Sequence, residues 1–265
     1  GDSRQEGQDG MSEPRVELHL RDCLEVMRGM ADGCVDMVVT DPPYGINTKS
    51  DGTGKLNPWA DLCNSAFWYT AWIGECRRIL KPTGCLWSFL NWRSLVTFQK
   101  ATCDARWSIE SLLVWDKEWI GPSGPKQLRP SYEMVALWAM PDFVIRDRSL
   151  PDVVRVQWSS HKPSGHPAEK PKALISKLVN WSANSTPISG QFRSNSALVI
   201  LDPFMGSGTT GEVAIELGHH FIGCEIDPGW HTAAARRIGE ARAMPPLFRQ
   251  ASTRQAPLFP AEDVA

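Results

Sequence analysis

The sequence predicts an α/β fold, a mostly parallel sheet with helices on both faces. Three observations carry that expectation. Short apolar runs alternate with longer amphipathic stretches, the pattern of strands joined by crossover helices. Two of the runs, Val35–Thr40 and Leu198–Leu201, pass directly into loops rich in Pro and Gly, as strands that feed a ligand-binding sheet edge do. At 265 residues the chain is long enough for one large domain with a substantial core.

Taken in order, Val16–Leu20 reads as a strand leading into a helix over Leu24–Met30. Val35–Thr40 is a buried strand that stops at Asp41-Pro42-Pro43-Tyr44. Helical spacing of apolar residues covers Phe67–Leu80, and Lys81-Pro82-Thr83-Gly84 reads as the turn that ends it. Cys85–Leu90, Glu110–Trp115 and Met134–Met140 read as strands. The later ones lie close together in sequence, so an antiparallel arrangement at one edge of the sheet is expected. Leu174–Trp181 is helical, with Pro171 near its first turn. Leu198–Leu201 and Phe221–Ile226 are strands, with helices over Thr209–Leu217 and His231–Ala241.

The ends of the chain read differently. Residues 1–10 have no apolar periodicity and are expected to be a tag remnant or disordered extension, so the domain is placed at 11–243. Residues 244–265 form a Pro-rich tail that repeats Pro-Leu-Phe at 246–248 and 257–259. No apolar run approaches the length of a membrane span. The seven cysteines are odd in number and never spaced Cys-x-x-Cys, which argues against a disulfide framework and a zinc site and for a reducing compartment. Net charge is −2, yet residues 91–180 carry 13 basic and 9 acidic groups. The positive excess therefore sits between the two Pro- and Gly-rich loops.

The second of those loops is Asp202-Pro203-Phe204-Met205-Gly206-Ser207-Gly208-Thr209-Thr210. Glycines there let the main chain run against a ligand without a Cβ. Gly206 and Gly208 read as a lone Gly-x-Gly pair, a weak dinucleotide signal. Asp202 would repel a pyrophosphate but suits a cationic amino-acid group. Both points disfavour a nicotinamide-dependent oxidoreductase. Glu225, 23 residues after Asp202, stands near the spacing at which an acidic side chain grips a ribose diol. Asp227 suits a helix cap better.

The first loop offers different chemistry. An exocyclic amine attacks a methyl group only as its lone pair leaves the ring π-system. A carboxylate at Asp41 and the rigid carbonyl of Pro42, held by Pro42 and Pro43, would accept the two N–H bonds of such an amine. Tyr44 would offer a face on which an extruded base stacks.

Together the two loops resemble the β class of DNA amino-methyltransferases, in which the Asp-Pro-Pro-Tyr run precedes the cofactor run. The resemblance covers roughly Val16 to Gly239. It implies a Rossmann-like fold of the S-adenosylmethionine (SAM)-dependent methyltransferases with permuted motif order, and it implies SAM as the cofactor and no metal. Asp41, Pro42, Pro43 and Tyr44 become the expected catalytic residues. Asp202, Phe204, Gly206, Ser207, Gly208, Glu225 and Ile226 become the expected cofactor contacts, with Asp41 shared between the two sets. His166-Pro167-Ala168-Glu169-Lys170-Pro171 resembles the segment that closes over the methionine end of SAM, with Lys170 for its carboxylate. Arg21-Asp22-Cys23-Leu24 resembles the run near the adenine ring, which adds Asp22 and Cys23. Arg21 departs from the small residue usual there.

By the same resemblance, Asn91 and Arg93 line the base pocket. Lys117, Lys126 and Arg129 approach the target strand. Arg146, Arg148 and Lys162 belong to a short target-recognition insert at about 141–165. The expected partners are double-stranded DNA and a second copy of the chain, in the cytoplasm of a bacterium or on a phage-encoded protein at the nucleoid. Asp at the first position of the catalytic run resembles N6-adenine enzymes, so sequence-specific transfer to adenine N6 is expected. A cytosine-N4 enzyme would share every motif. A non-catalytic DNA-binding relative would have lost Asp41 or Tyr44.

Overall fold

The computed structural model describes residues 13–43, 66–159, 169–183 and 197–244. The strands are β1 (Val16–Leu20), β2 (Val35–Thr40), β3 (Leu80–Leu90), β4 (Ser111–Asp116), β5 (Tyr132–Ala139), β6 (Val153–Arg155), β7 (Val199–Asp202) and β8 (His220–Glu225). The helices are α1 (Cys23–Gly29), α2 (Ala66–Ile79), α3 (Leu95–Asp104), α4 (Lys172–Ala183), α5 (Thr209–Glu216) and α6 (Pro228–Ala243).

The strands form one eight-stranded sheet in the order β1-β8-β7-β2-β3-β5-β4-β6. Only β5 runs against the rest: β3 and β4 each pair with it antiparallel, and every other pairing is parallel. The expected antiparallel strand is therefore present, but it lies inside the sheet. The parallel strand β6, which the sequence reading passed over, forms that edge.

All six residues of β2 are buried, as a central strand with both faces covered requires. Side chains alternate between two cores. Met37, Val39, Trp87, Phe89, Val135 and Leu137 face α4, α5 and α6. Val38, Leu86, Leu90, Ala136 and Trp138 face α1, α2 and α3. This period of two is the strand signature that made the elements legible.

Two further expectations need correction. The turn at Lys81–Gly84 does not separate α2 from β3, because it sits within β3 as an irregularity. Leu80 pairs with Val35 and Cys85 with Met37, so the extra residues bulge out of the ladder. Lys81 closes the bulge by pairing with the buried Asp36 at 2.8 Å, and Asp36 also accepts from Val199 N at 2.9 Å. The second correction is α3, which occupies a stretch left unassigned from sequence. It packs Phe98 and Ala101 onto the second core.

The chain leaves β5 at the sheet end opposite Asp41, where Met140 N donates to Gly84 O and Asp142 N to Pro82 O. It returns through β6, whose Val153 pairs with Val114. The expected insert at 141–165 is thus a connection beginning at the far end of the sheet, with residues 160–168 outside the described residues. The N-terminal extension and the tail from residue 245 also lie outside them.

Candidate active site

Strand order places the site. From β2 the chain builds the sheet toward β3, and from β7 it builds toward β8. The carboxyl ends of β2 and β7 are neighbours at the point where the direction reverses, and ligands of open α/β sheets bind in the crevice formed there. Asp41 follows the last residue of β2, and the cofactor loop follows β7.

One hydrogen bond joins the two strands directly. Thr40 Oγ1 donates to Asp202 Oδ1 at 2.6 Å, although 162 residues separate them. The same oxygen accepts from Phe204 N at 3.1 Å, which sets the first turn of the loop. Asp202 is almost fully buried, and burial pushes its carboxyl up to about 6. Thr40, Thr210 and Phe204 N–H oppose that rise, and the charge of Asp41 adds to it.

The loop then needs glycine. Gly206 has φ 49° and Gly208 φ 82°, both in the left-handed region that residues with a Cβ avoid. A Cβ on Gly208 would lie 2.9 Å from Ala234 Cβ. Gly208 caps α5, so the loop ends at the positive end of a helix. Gly211 completes a Gly-x-Gly-x-x-Gly spacing that reading Gly206 and Gly208 as a lone pair overlooks. Its Cβ would lie 2.4 Å from Ile238 Cδ1, so it serves close packing. The glycine spacing thus does not itself disfavour a nicotinamide cofactor.

Glu225, at the end of β8, accepts from Gly206 N at 3.0 Å through one oxygen. Through the other it accepts from Ile226 N and Asp227 N, both at 2.9 Å. Asp227 caps α6, as its position predicts, by accepting from Trp230 N at 2.9 Å. Across β1, Arg21 N donates to Glu225 O at 3.0 Å, which brings Asp22 and Cys23 to the same sheet edge. Asp22 caps α1 by accepting from Leu24 N at 2.8 Å. Cys23 is buried, and that burial raises its thiol pKa, so it stays a neutral thiol. Phe204 packs its ring 5.7 Å from Trp68 and from Trp72. Ser207 is buried, 3.4 Å from Arg237.

The catalytic loop is braced from two sides. Tyr69 on α2 donates its hydroxyl hydrogen to Pro43 O. Lys170 donates to the Asp41 carboxylate and lies 3.3 Å from Glu133, at the start of β5. Lys170 is therefore engaged with the Asp41 carboxylate, and its ammonium also lies 4.9 Å from the centre of the Phe89 ring. Its neighbour Glu169 is buried and pairs with Arg237 at 2.9 Å. Arg237 also donates to Thr209 Oγ1 at 3.0 Å. That buried bridge ties the segment carrying Lys170 to the helix of the cofactor loop. Tyr44 lies outside the described residues.

The expected DNA contacts divide. Asn91 and Arg93 sit at the carboxyl end of β3, next to β2, with Asn91 accepting from Arg93 N at 3.0 Å. The guanidinium of Arg93 lies 4.6 Å from the ring of the exposed Trp92. Lys117 pairs with Glu133 at 2.5 Å and is largely buried. Arg129 donates to Gly121 O at 2.9 Å and Ile120 O at 3.0 Å, which closes the exposed loop that carries Lys126. Arg146 and Arg148 lie on the exposed connection after β5, away from the residues gathered around Asp41. Lys162 is outside the described residues.

Comparison with known proteins decides the family. A family model described as DNA methylase, for the N6/N4 methyltransferases, matches residues 35–236. The chain belongs to the N6/N4 DNA methylase family. It is 27% identical over 265 residues to the DNA adenine methyltransferase YhdJ of Escherichia coli, covering 87% of this chain and 84% of that one. Its fold is similar to that of M1.HpyAVI in complex with SAM, with TM-score 0.62 at 20% identity, over 84% of this chain and 98% of that one. It is also similar to that of the cytosine-N4-specific PvuII methyltransferase, with TM-score 0.63 at 16% identity, over 87% and 92%.

The methylase has residues that fit a SAM-like ligand. Its loop can be formed only with glycine, and an acidic side chain ends the neighbouring strand. Glu225 Oε2, with a single main-chain bond from Gly206 N, keeps acceptor capacity for a ligand hydroxyl. Among the described residues no group of three His, Cys, Asp or Glu is placed to hold a metal, and no helix is long and apolar enough to cross a membrane.

Sequence reasoning missed Thr40, Tyr69 and Glu133. Thr40 and Tyr69 read as ordinary members of a strand and a helix. Glu133 carried one weak signal, a carboxylate at the start of an otherwise apolar strand.

Proposed function

We propose that this DNA methylase transfers a methyl group from SAM to N6 of an adenine flipped out of duplex DNA, at a specific sequence. The observation that carries the reading is the placement of Asp41, one residue beyond the Thr40–Asp202 bond, in the crevice between β2 and the glycine loop. When bound, SAM supplies an activated methyl group. The chain supplies the alignment. Asp41 accepts a hydrogen of the target amine, and the proline-fixed main chain after it supplies a second acceptor. Two acceptors aimed at the nitrogen stabilise the positive charge it gains as the new bond forms. Tyr69 and Lys170 hold those acceptors still before the base arrives.

An amine paired inside a duplex is inaccessible, so the base must leave the stack. The exposed aromatic side chain of Trp92 and the guanidinium of Arg93, beside the site, suit stacking and phosphate contact. The loop between β4 and β5 adds Lys126 and Arg129 on the same edge. The Asp that opens the catalytic run and the likeness to an adenine methyltransferase support adenine over cytosine. The homodimer belongs to the same reading, and sedimentation of the full chain tests it.

The test is to incubate the protein with SAM and unmethylated plasmid DNA, digest to nucleosides and identify the modified base by mass spectrometry. N6-methyladenine is the expected product. N4-methylcytosine would keep the site chemistry and overturn the substrate. A broad set of unmethylated DNAs yielding no modified base would overturn the reading.

A further inference from the structure

A chain of alternating charges runs along the carboxyl edge of the sheet. Asp41 follows β2, Lys170 precedes α4, Glu133 begins the antiparallel strand β5, and Lys117 follows β4. Lys170 donates to Asp41 and lies 3.3 Å from Glu133, and Lys117 lies 2.5 Å from the other Glu133 oxygen. Glu133 is on this edge only because β5 is reversed, so that its first residues meet the last residues of its neighbours. Glu133 Oε2 is buried and makes no hydrogen bond among the described residues, so its compensation is the ammonium of Lys170 at ion-pair distance.

Burial works against the charge of Glu133, yet Lys170 and then Lys117 overcome it and hold its carboxyl below the ordinary range. Burial likewise opposes the charge of Lys170, but Asp41 and Glu133 keep it firmly protonated. A buried ammonium with two carboxylates is stable only as a set, since removing one member leaves an uncompensated charge.

We propose that Glu133 is a positioning residue: it holds Lys170 against Asp41 and thereby fixes the carboxylate that receives the target amine. Lys117 completes the set by balancing Glu133 rather than by contacting DNA. Lys170 meets Asp41 Oδ2, so that oxygen of the carboxylate is anchored. The inference rests on the proposed methyl transfer for its function but on the ion chain alone for its geometry.

The test uses the full chain and the variants E133Q, K170Q and K170Q/E133Q, with far-ultraviolet circular dichroism confirming the fold of each. Two readouts are taken: titration of the Asp41 side-chain carboxyl by carbon-13 NMR, and the pH profile of single-turnover methyl incorporation into DNA. Charged groups that face Asp41 among the described residues include Lys170, Glu133 beyond it, and Asp202 from β7. Asp202 and Lys117 are unchanged in every variant.

In K170Q two carboxylates face each other with no cation between them, so Asp41 should titrate about 1 unit higher or more. The acid limb of the rate profile should move up with it, because a protonated Asp41 is a poorer acceptor. E133Q, which leaves Lys170 without its second carboxylate, should raise the Asp41 titration in the same direction, and adding it to K170Q should change little further. A Glu133 that acts only by its own charge predicts a lower Asp41 titration in E133Q and a fall from the K170Q value in the double variant.

Failure of K170Q to shift the Asp41 titration, or an Asp41 titration in E133Q that falls or stays at the wild-type value, overturns the proposal. If wild type transfers no methyl group, the functional reading fails instead, and the titration still decides whether Glu133 acts on Asp41.

Discussion

Replacing Asp202 by Asn should stabilise the protein at neutral pH and weaken cofactor binding. Burial pushes the Asp202 carboxyl to about 6, against an ordinary value of 3.8. The folded state therefore holds this proton more tightly than the unfolded state does. Well below pH 4 both states are protonated and the group costs nothing. As pH rises from about 4 to about 6, the unfolded chain releases the proton first, and folding loses stability. A difference of about two units, at about 1.4 kcal/mol each, gives a penalty of about 3 kcal/mol that is complete above pH 6.

Asn is neutral throughout and keeps the acceptor that serves Thr40 and Phe204 N–H. Any change in hydrogen-bond quality is independent of pH and cancels when pH values are compared. The assay is urea unfolding of both proteins at pH 4, 5, 6 and 7. The advantage of the variant should grow by about 2.5 kcal/mol across that range, while calorimetric affinity for SAM falls. A difference between the proteins that stays flat with pH, or that grows in favour of wild type, would refute the reasoning. A buried carboxylate that costs stability is what a functional position looks like.

Three further outcomes follow from the same geometry. Thr40→Val removes a donor to a buried carboxylate and should cost about 1.5–3 kcal/mol in urea unfolding, with the pH window of Asp202 moved upward. Gly208→Ala places a Cβ at φ 82° and 2.9 Å from Ala234. It should cost about 1–3 kcal/mol, read as a lower melting temperature, with SAM affinity falling in parallel. Asp41→Ala should abolish methyl incorporation while calorimetry still detects SAM. Loss of SAM binding in a folded Asp41→Ala protein would mean that Asp41 serves the cofactor instead of the amine.

Much of this was legible in the sequence because the relevant physics is local. Val35–Thr40 and Cys85–Leu90 announce strands through apolar content and a period of two. Asp202–Thr210 announces a ligand loop because its backbone demands glycine. What stayed hidden depends on contacts between distant residues. Lys117 and Lys170 read from sequence as groups for external ligands, because a lysine in a loop carries no mark of its internal partner. Both turn inward to Glu133, and the reversal of β5 that brings Glu133 to them is a property of the whole sheet. The bulge at Lys81–Gly84 misled for a similar reason. Pro and Gly end a helix in most contexts, but here Asp36 gives Lys81 a buried partner and the strand continues around it.

The permuted order of the two loops has a structural explanation in the pairing of β2 with β7. Thr40 and Asp202 end adjacent strands and bond directly, so each loop starts from a shared point whatever length of chain lies between them. On the proposed reading, chemistry at Asp41 depends on that adjacency, on Tyr69 behind Pro43, and on Lys170 beside the carboxylate. It does not depend on which loop the chain visits first. The long stretch between the motifs is then free to supply β5 and its Glu133, along with the exposed loop of Lys126 and Arg129. That one stretch therefore braces Asp41 and carries the basic groups proposed to meet the DNA.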